Sequence, residues 1–506
     1  AKTLMVQGTA SSAGKSILVT ALCRILKQDG HSVAPFKAQN MALNSFVTIE
    51  GGEIGRSQAC QAEAAGIKPT VHMNPVLLKP QADTTSQLIV QGKTAGTSHA
   101  ADYYKDNFKL LPKIEESLNI LARQYDVIVI EGAGSPAEIN LMEREIANMR
   151  IAQLAKAPVI LIGDIDKGGV FASIVGTMEL LPKEQGDLIK GFVINKFRGD
   201  ASLLKPALDF LEKKYSRPVL GIIPYIRNIR IAQEDSVYLD ERQCDNHEGR
   251  PDICIVRLPH ISNYDDFDPL EISCNVRYAA TTHEIGNPDM IILPGTKSTI
   301  GDMGFLHKTG LAEAIIQKAH SGIPLTGICG GYQMLGRKIY DRDRAESDNT
   351  EADGLGLLDI DTSFDADKVT SQVKGHVIAN TGLLKNMQGT EVEGYEIHMG
   401  KSEPRENNPI FELSGSGSNK DMYTEGAIDK SGLIFGTYLH GLFNSGDFTG
   451  KLIDNLCSIR VIEGTGHTAP DRETAYDELA SEFRKSLDMN KIYEIISGGA
   501  YGRKGI

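Results

Sequence analysis

No two of the seven cysteines stand in a CxxC pair. Cys23, Cys60, Cys244, Cys254, Cys274, Cys329 and Cys457 are scattered and odd in number. That argues against a disulfide framework or a spaced zinc site and fits a reducing compartment. A long apolar run is missing too. The longest, near Pro158 to Ile162, falls far short of a membrane-spanning length, so no membrane partner is expected. Positive charge is in deficit: 53 Lys and Arg stand against 66 Asp and Glu, a formal net charge of −13. No field gathers phosphate backbones, so a general nucleic-acid partner is not expected, whereas an anionic small molecule needs only a local basic pocket. Tryptophan is absent and aromatics make up 6%, which excludes no class. There is no internal repeat or low-complexity tract. Lys2 to Gln7 reads as a first strand running into a glycine loop, not as a signal segment, and the expected location is cytoplasmic.

What is present is ordinary globular composition, 41% hydrophobic and 24% charged, spread over 506 residues, more than one core accommodates. Short Val- and Ile-rich runs at Leu4–Val6, Val33–Phe36, Val127–Ile130, Val159–Ile162, Gly191–Ile194 and Val219–Ile222 read as buried parallel strands. Helical stretches at Lys15–Gln28, Gly55–Ala65 and Glu143–Ala155 alternate with them. The alternation predicts a doubly wound α/β domain over 1–240. The polar run ERQCDNHEGR opens a linker, 241–251. A second doubly wound α/β domain is expected over 252–450, with strands at Asp252–Arg257, Met290–Leu293, Ile323–Ile328 and Ser431–Tyr438. Ser414–Lys420 reads as a surface loop. Residues 451–506 form a helical extension in which Thr474–Leu487 has helical spacing.

The first strand ends in GTASSAGKS, residues 8–16, and a helix follows. Here Gly8, Thr9 and Gly14 let backbone N–H groups curl around phosphate, and the helix N-terminus adds a favourable dipole. Lys15 reaches the terminal phosphates of ATP, and the Ser16 hydroxyl is a ligand for Mg²⁺. One extra residue separates the glycines relative to the commonest spacing, as in dethiobiotin-synthetase-like ATPases, which this loop resembles. Lys37, at the end of the second strand, is placed to neutralise the γ-phosphate. Glu131, in Glu-Gly-Ala-Gly after the third, is a candidate Mg²⁺ carboxylate, with Glu53 a weaker one. Asp164 and Asp166 in GDIDKGG are candidates for metal or substrate, and Asn195 for the adenine edge.

A second chemical feature lies at Cys329. An apolar run enters it and glycines leave it, in GICGGYQ, residues 327–333. This is a strand-to-helix elbow that holds a thiol at its apex and aims the next backbone N–H at a reacting oxygen. A thiolate nucleophile needs a base, and His440 in YLHGLF follows a predicted strand of the same sheet. Gly330 and the turn at Gly295 are the expected oxyanion donors.

PGTKST, GICGGYQ and YLHGLF together resemble the class I glutamine amidotransferases, which hydrolyse L-glutamine through a cysteine thioester and release ammonia. In that family a Glu stands two residues after the His; here the position is Leu442. The departure leaves a Cys–His dyad without its usual orienting carboxylate. A dyad of this kind behind a dethiobiotin-synthetase-like ATPase resembles the cobyric and cobyrinic acid amide synthases of cobalamin biosynthesis. FKAQNMALNS, EIGRSQACQAEA, MNPVLLKP, GDIDKGGVFAS, INKFRGD, ISNYDDFDPL and GYEIHMG favour the cobyric branch. The match runs from the first strand to about Phe443. The resemblance implies successive ATP- and glutamine-dependent amidation of the b, d, e and g carboxylates of a corrinoid, adenosylcobyrinic acid a,c-diamide. Gln39, Asn40, Asn44 and, more weakly, His398 are candidates for contact with that substrate. The alternatives are the sister enzyme that amidates cobyrinic acid at a and c, and a P-loop regulatory ATPase with an inactive glutaminase-like module. The sequence does not define an oligomeric state or an ammonia route.

Overall fold

In the computed structural model, residues 1–82, 85–226, 247–344, 346–347, 349–405, 408–415, 421–462 and 472–499 are described. Cys244, most of the expected linker and residues 416–420 of the expected surface loop lie outside them. The chain divides into two units. Among the described residues the first comprises 1–42, 53–226 and 472–499, and the second comprises Leu43–Gly52 and 247–462.

The first unit is built on a parallel sheet in the order Val219–Pro224, Ile189–Phe197, Val159–Asp164, Lys2–Gly8, Val127–Glu131, Val33–Phe36. The six expected strands are all there. Val127–Glu131 is buried at every position, as a strand covered on both faces must be. One apolar cluster lies on each face of the sheet. The chain starts at a central strand, goes out to Val33–Phe36, returns and continues on the other side. The loop after Lys2–Gly8 therefore opens at the switch point, where α/β sheets bind ligands.

Two C-terminal helices, Arg472–Ser486 and Met489–Gly498, complete this unit. Tyr476, Leu479, Phe483, Ile492 and Ile496 join the cluster formed by the first helix, Lys15–Gln28. Each such apolar burial stabilises by about 1.5–3 kcal/mol. The expected extension 451–506 is thus divided, because Gly446–Arg460 packs in the core of the second unit. The helix expected over Glu143–Ala155 is shorter, Met149–Leu154. The Glu145 carboxylate accepts the N–H groups of Ala147, Asn148 and Arg150 and so holds a turn where a helix would begin. A four-stranded sheet with strands Gln39–Met41, Val76–Ala82, Thr85–Val90 and Lys93–His99 was not expected from the sequence.

The second unit has a sheet in the order Asn275–Ala279, Asp252–Val256, Met290–Leu293, Leu325–Ile328, Ile434–Thr437, with Ala427–Ile428 antiparallel at its edge. A seven-stranded sheet joins it, dominated by the antiparallel pair Ile360–Val377 and Glu391–Pro404. The polar sequence of Ile360–Val377 hides this element from a search for apolar runs. No helix among the described residues is long and apolar enough to cross a membrane.

Candidate active sites

In the first unit the phosphate loop converges on Glu131. Gly14 adopts φ 100°, a left-handed conformation that glycine enters without strain, and the first helix starts at the next residue. Lys15 Nζ donates to the carbonyls of Ala10 at 2.9 Å and Gly134 at 3.0 Å. Ser16 Oγ donates to Glu131 Oε1 at 2.8 Å, and Lys37 Nζ reaches the same oxygen at 2.9 Å. Gln61 and Gln58 donate to Oε2 at 2.5 and 3.4 Å. Burial pushes the Glu131 carboxyl up, but Lys37, Gln61 and Ser16 outweigh it and hold it below the usual carboxylate range. Neighbouring Gln7 and Gln61 each keep a buried Oε1 without a partner. The Ser16 hydroxyl, the Glu131 carboxylate and the spare amide oxygens are hard oxygen donors of the kind that would suit Mg²⁺.

The remaining expected residues of this unit take varied places. Thr9 N–H donates to Ile162. Asn195 Nδ2 donates to the Ala13 carbonyl at 2.9 Å and so braces the loop. Asn40 donates to Gln58 at 2.9 Å, which ties it to the Glu131 network, and Gln39 accepts from Tyr103. Glu53 pairs with Lys79 at 2.8 Å. Asp164 pairs with Lys196 and Asp166 with Arg198, each at 2.8 Å. Asn44 belongs to the second unit.

The elbow in the second unit is built as expected. Leu325–Ile328 is fully buried, Cys329 turns the chain at φ 51° and ψ −109°, and the helix Gly330–Leu335 begins. A non-glycine residue in this region carries strain of about 1–3 kcal/mol, held here by the strand and helix on either side. Cys329 N–H donates to the Thr437 carbonyl at 2.8 Å, and its thiol to that of Ile397 at 3.5 Å. A Cβ on Gly330 would lie 2.7 Å from Thr296 Cγ2, so only glycine lets the elbow approach the Gly295–Thr296 turn this closely. As the first helical residue, Gly330 has an N–H without an intrahelical acceptor. Gly295 lies beside the imidazole: a Cβ there would be 3.1 Å from His440 Cε1.

His440 is buried, stacks on Tyr395 with centroids 5.4 Å apart and planes at 17°, and contacts Asp266. Nδ1 lies 2.7 Å from Asp266 Oδ2, and Gly441 N–H donates to Oδ1 at 2.9 Å. Burial alone would depress the imidazole. The Asp266 carboxylate and Cys329, which also hydrogen-bonds the ring, reverse this and raise it to about 10. Asp266 therefore occupies the place left by Leu442, which is itself a core residue. It lies inside ISNYDDFDPL, and its acidic pair was the signal available in the sequence. His398 does not join this arrangement. It stacks on Tyr438 with centroids at 3.7 Å, contacts the Gly400 carbonyl through Nδ1 at 2.9 Å, and burial lowers it to about 4.

A phosphate loop with its carboxylate in one unit and a Cys–His–Asp arrangement in the other define a glutamine amidotransferase joined to a nucleotide-binding domain. Residues 4–237 match the CobQ/CobB/MinD/ParA nucleotide binding domain, and 252–448 match the CobB/CobQ-like glutamine amidotransferase domain. The chain is 56% identical over 500 residues to a cobyric acid synthase of Dehalococcoides mccartyi, covering 99% of each chain. It is 48% identical over 513 residues to one of Pelotomaculum thermopropionicum, covering 98% of this chain and 97% of the other. The chain belongs to the cobyric acid synthase family.

Proposed function

We propose that the protein amidates the b, d, e and g carboxylates of adenosylcobyrinic acid a,c-diamide in turn, with ATP and glutamine, to give adenosylcobyric acid. The observation that supports this reading is the Asp266–His440 pair beside Cys329, a Cys–His–Asp arrangement suited to a glutaminase where the sequence suggests only a dyad. A carboxylate is a poor electrophile because its oxygen leaves badly. Transfer of the γ-phosphoryl group from ATP to a carboxylate oxygen gives an acyl phosphate and ADP. Lys15, Lys37 and the loop N–H groups stabilise the charge on the moving phosphoryl group. Ser16 and Glu131 would hold Mg²⁺, which offsets charge on the phosphate oxygens when bound.

In the other unit the Cys329 thiol gives its proton to His440, and sulfur attacks the amide carbon of glutamine. The N–H of Gly330 and the Gly295 turn receive the developing oxyanion. His440 returns the proton to the leaving nitrogen, and ammonia departs. A water deprotonated by His440 then cleaves the thioester to glutamate. Ammonia attacks the acyl phosphate, the C–O bond to phosphate breaks, and amide and phosphate result. Asp266 keeps the ring oriented throughout.

Mass spectrometry after incubation with ATP, Mg²⁺, glutamine and adenosylcobyrinic acid a,c-diamide tests this. Each exchange of OH for NH₂ lowers the mass by about one unit. Four such steps are expected. Amidation of cobyrinic acid twice instead would assign the sister activity, and no change with either substrate would favour a regulatory ATPase.

A further inference from the structure

The second unit contains a piece of chain from far outside its own sequence range. Leu43–Gly52 belongs to it, although the residues before and after belong to the first unit. The segment is held by an exchange between two buried asparagines. Asn44 Oδ1 accepts the Asn263 N–H at 2.7 Å, and Asn263 Oδ1 accepts the Ser45 N–H at 3.0 Å. Tyr395 OH donates to the Ser45 carbonyl at 3.2 Å, and Asn263 Nδ2 lies 3.4 Å from that hydroxyl. The Phe46 ring meets Tyr395 edge-on at 5.3 Å, and Val47 packs with Tyr395 and Ile397. Gln372 donates to the Val47 carbonyl at 2.8 Å, and Thr370 to that of Gly51 at 2.7 Å.

Both supports of His440 pass through these contacts. Tyr395 carries the imidazole on its face. Asn263, held at φ 53°, opens the turn that presents Asp266, whose N–H bonds back to the Asn263 carbonyl at 3.1 Å. On the other side, three residues upstream of Leu43, Asn40 is hydrogen-bonded through Gln58 to Glu131, the carboxylate of the phosphate site. One short stretch of covalent chain thus joins the Glu131 network to the two groups that position His440.

We propose that Leu43–Gly52 is the coupling element between the two chemistries, with Asn263 and Tyr395 as positioning residues for His440. Filling the phosphate and carboxylate site shifts the segment, and the segment sets the imidazole for glutamine hydrolysis. Ammonia is then released when a carboxylate is ready to receive it. The inference rests on the function proposed above.

Asn263→Gly removes the side-chain clasp while glycine accepts the left-handed backbone. Gln372→Ala cuts the segment's tie at Val47, away from Asp266. Glutaminase rates of the full-length protein are measured with glutamine alone and with ATP, Mg²⁺ and corrinoid added. A rise of about 5-fold or more is expected for the wild type, the lower end of ordinary coupling between sites. Each variant should lose most of that rise through kcat, with KM for glutamine and ammonia-dependent amidation near wild type. A merely structural role would lower both activities together. Retention of the full rise in both variants overturns the proposal, as does a wild type that amidates with glutamine but shows no rise. A wild type that amidates nothing removes the functional reading itself, and this proposal with it.

Discussion

Replacing Asp266 with Asn removes one charge and almost no volume. In the wild type, burial lowers the His440 imidazole, and Asp266 and Cys329 raise it from 6.5 to about 10. Asp266 and Cys329 together therefore outweigh burial in favour of the charged ring. With the charge gone, burial is opposed by Cys329 alone, and the imidazole falls from its raised position. An amide at 266 also cannot accept from both the ring N–H and Gly441 N–H, so one donor is left unsatisfied, at about 1–3 kcal/mol. Loss of the orienting carboxylate from a nucleophile–imidazole pair lowers turnover by up to about 10⁴-fold. A fall of about 10²–10⁴ in glutaminase kcat is therefore expected, equal to about 3–5.5 kcal/mol of transition-state stabilisation. The assay is glutamate release, run beside ammonia-dependent amidation at high ammonium, which should persist, and circular dichroism, which should show a folded chain. Glutaminase within threefold of wild type in Asp266→Asn would refute the assignment and leave a true dyad.

Three further outcomes are expected. Cys329→Ala should lose glutamine-dependent amidation and keep the ammonia-dependent reaction; full glutamine use would place the nucleophile elsewhere. Lys15→Ala should lose both, since carboxylate activation precedes either nitrogen source, and surviving ammonia-dependent turnover would remove the loop from the mechanism. Glu425 is buried and, with Glu396 nearby, raised from 4.5 to about 8. Its folded state favours the proton, so this contribution to stability is complete below about 4.5 and is lost as pH rises through about 8. Wild-type Tm should fall more steeply than that of Glu425→Gln between about pH 5 and pH 9, and parallel curves in thermal melts would show that Glu425 does not titrate there.

The features legible in the sequence are those whose physics is local. A phosphate loop needs glycines, Lys15 and Ser16 within one turn of chain, and the elbow needs only the strand and glycines around Cys329. Buried parallel strands announce themselves as Val and Ile runs. Asp266 could not be read this way, because it meets His440 across 174 residues of chain and the usual position of its counterpart holds leucine. Asn44 is a similar case. Its partner in the fold, the Asn263 N–H, is set by a chain exchange that no periodicity encodes. The short helix at Met149–Leu154 shows a competing local effect, a glutamate side chain taking the N–H groups that a longer helix would have used.

The central claim is that nitrogen freed at Cys329 becomes amide on a carboxylate activated at the phosphate loop. The most direct test gives the wild type glutamine labelled with heavy nitrogen at the amide, together with ATP, Mg²⁺ and adenosylcobyrinic acid a,c-diamide and no added ammonium, gives Cys329→Ala the same mixture plus unlabelled ammonium, and weighs the products. The account predicts heavy nitrogen in every newly formed amide, and none in the product of Cys329→Ala. Unlabelled amides made by the wild type in the presence of labelled glutamine would contradict it.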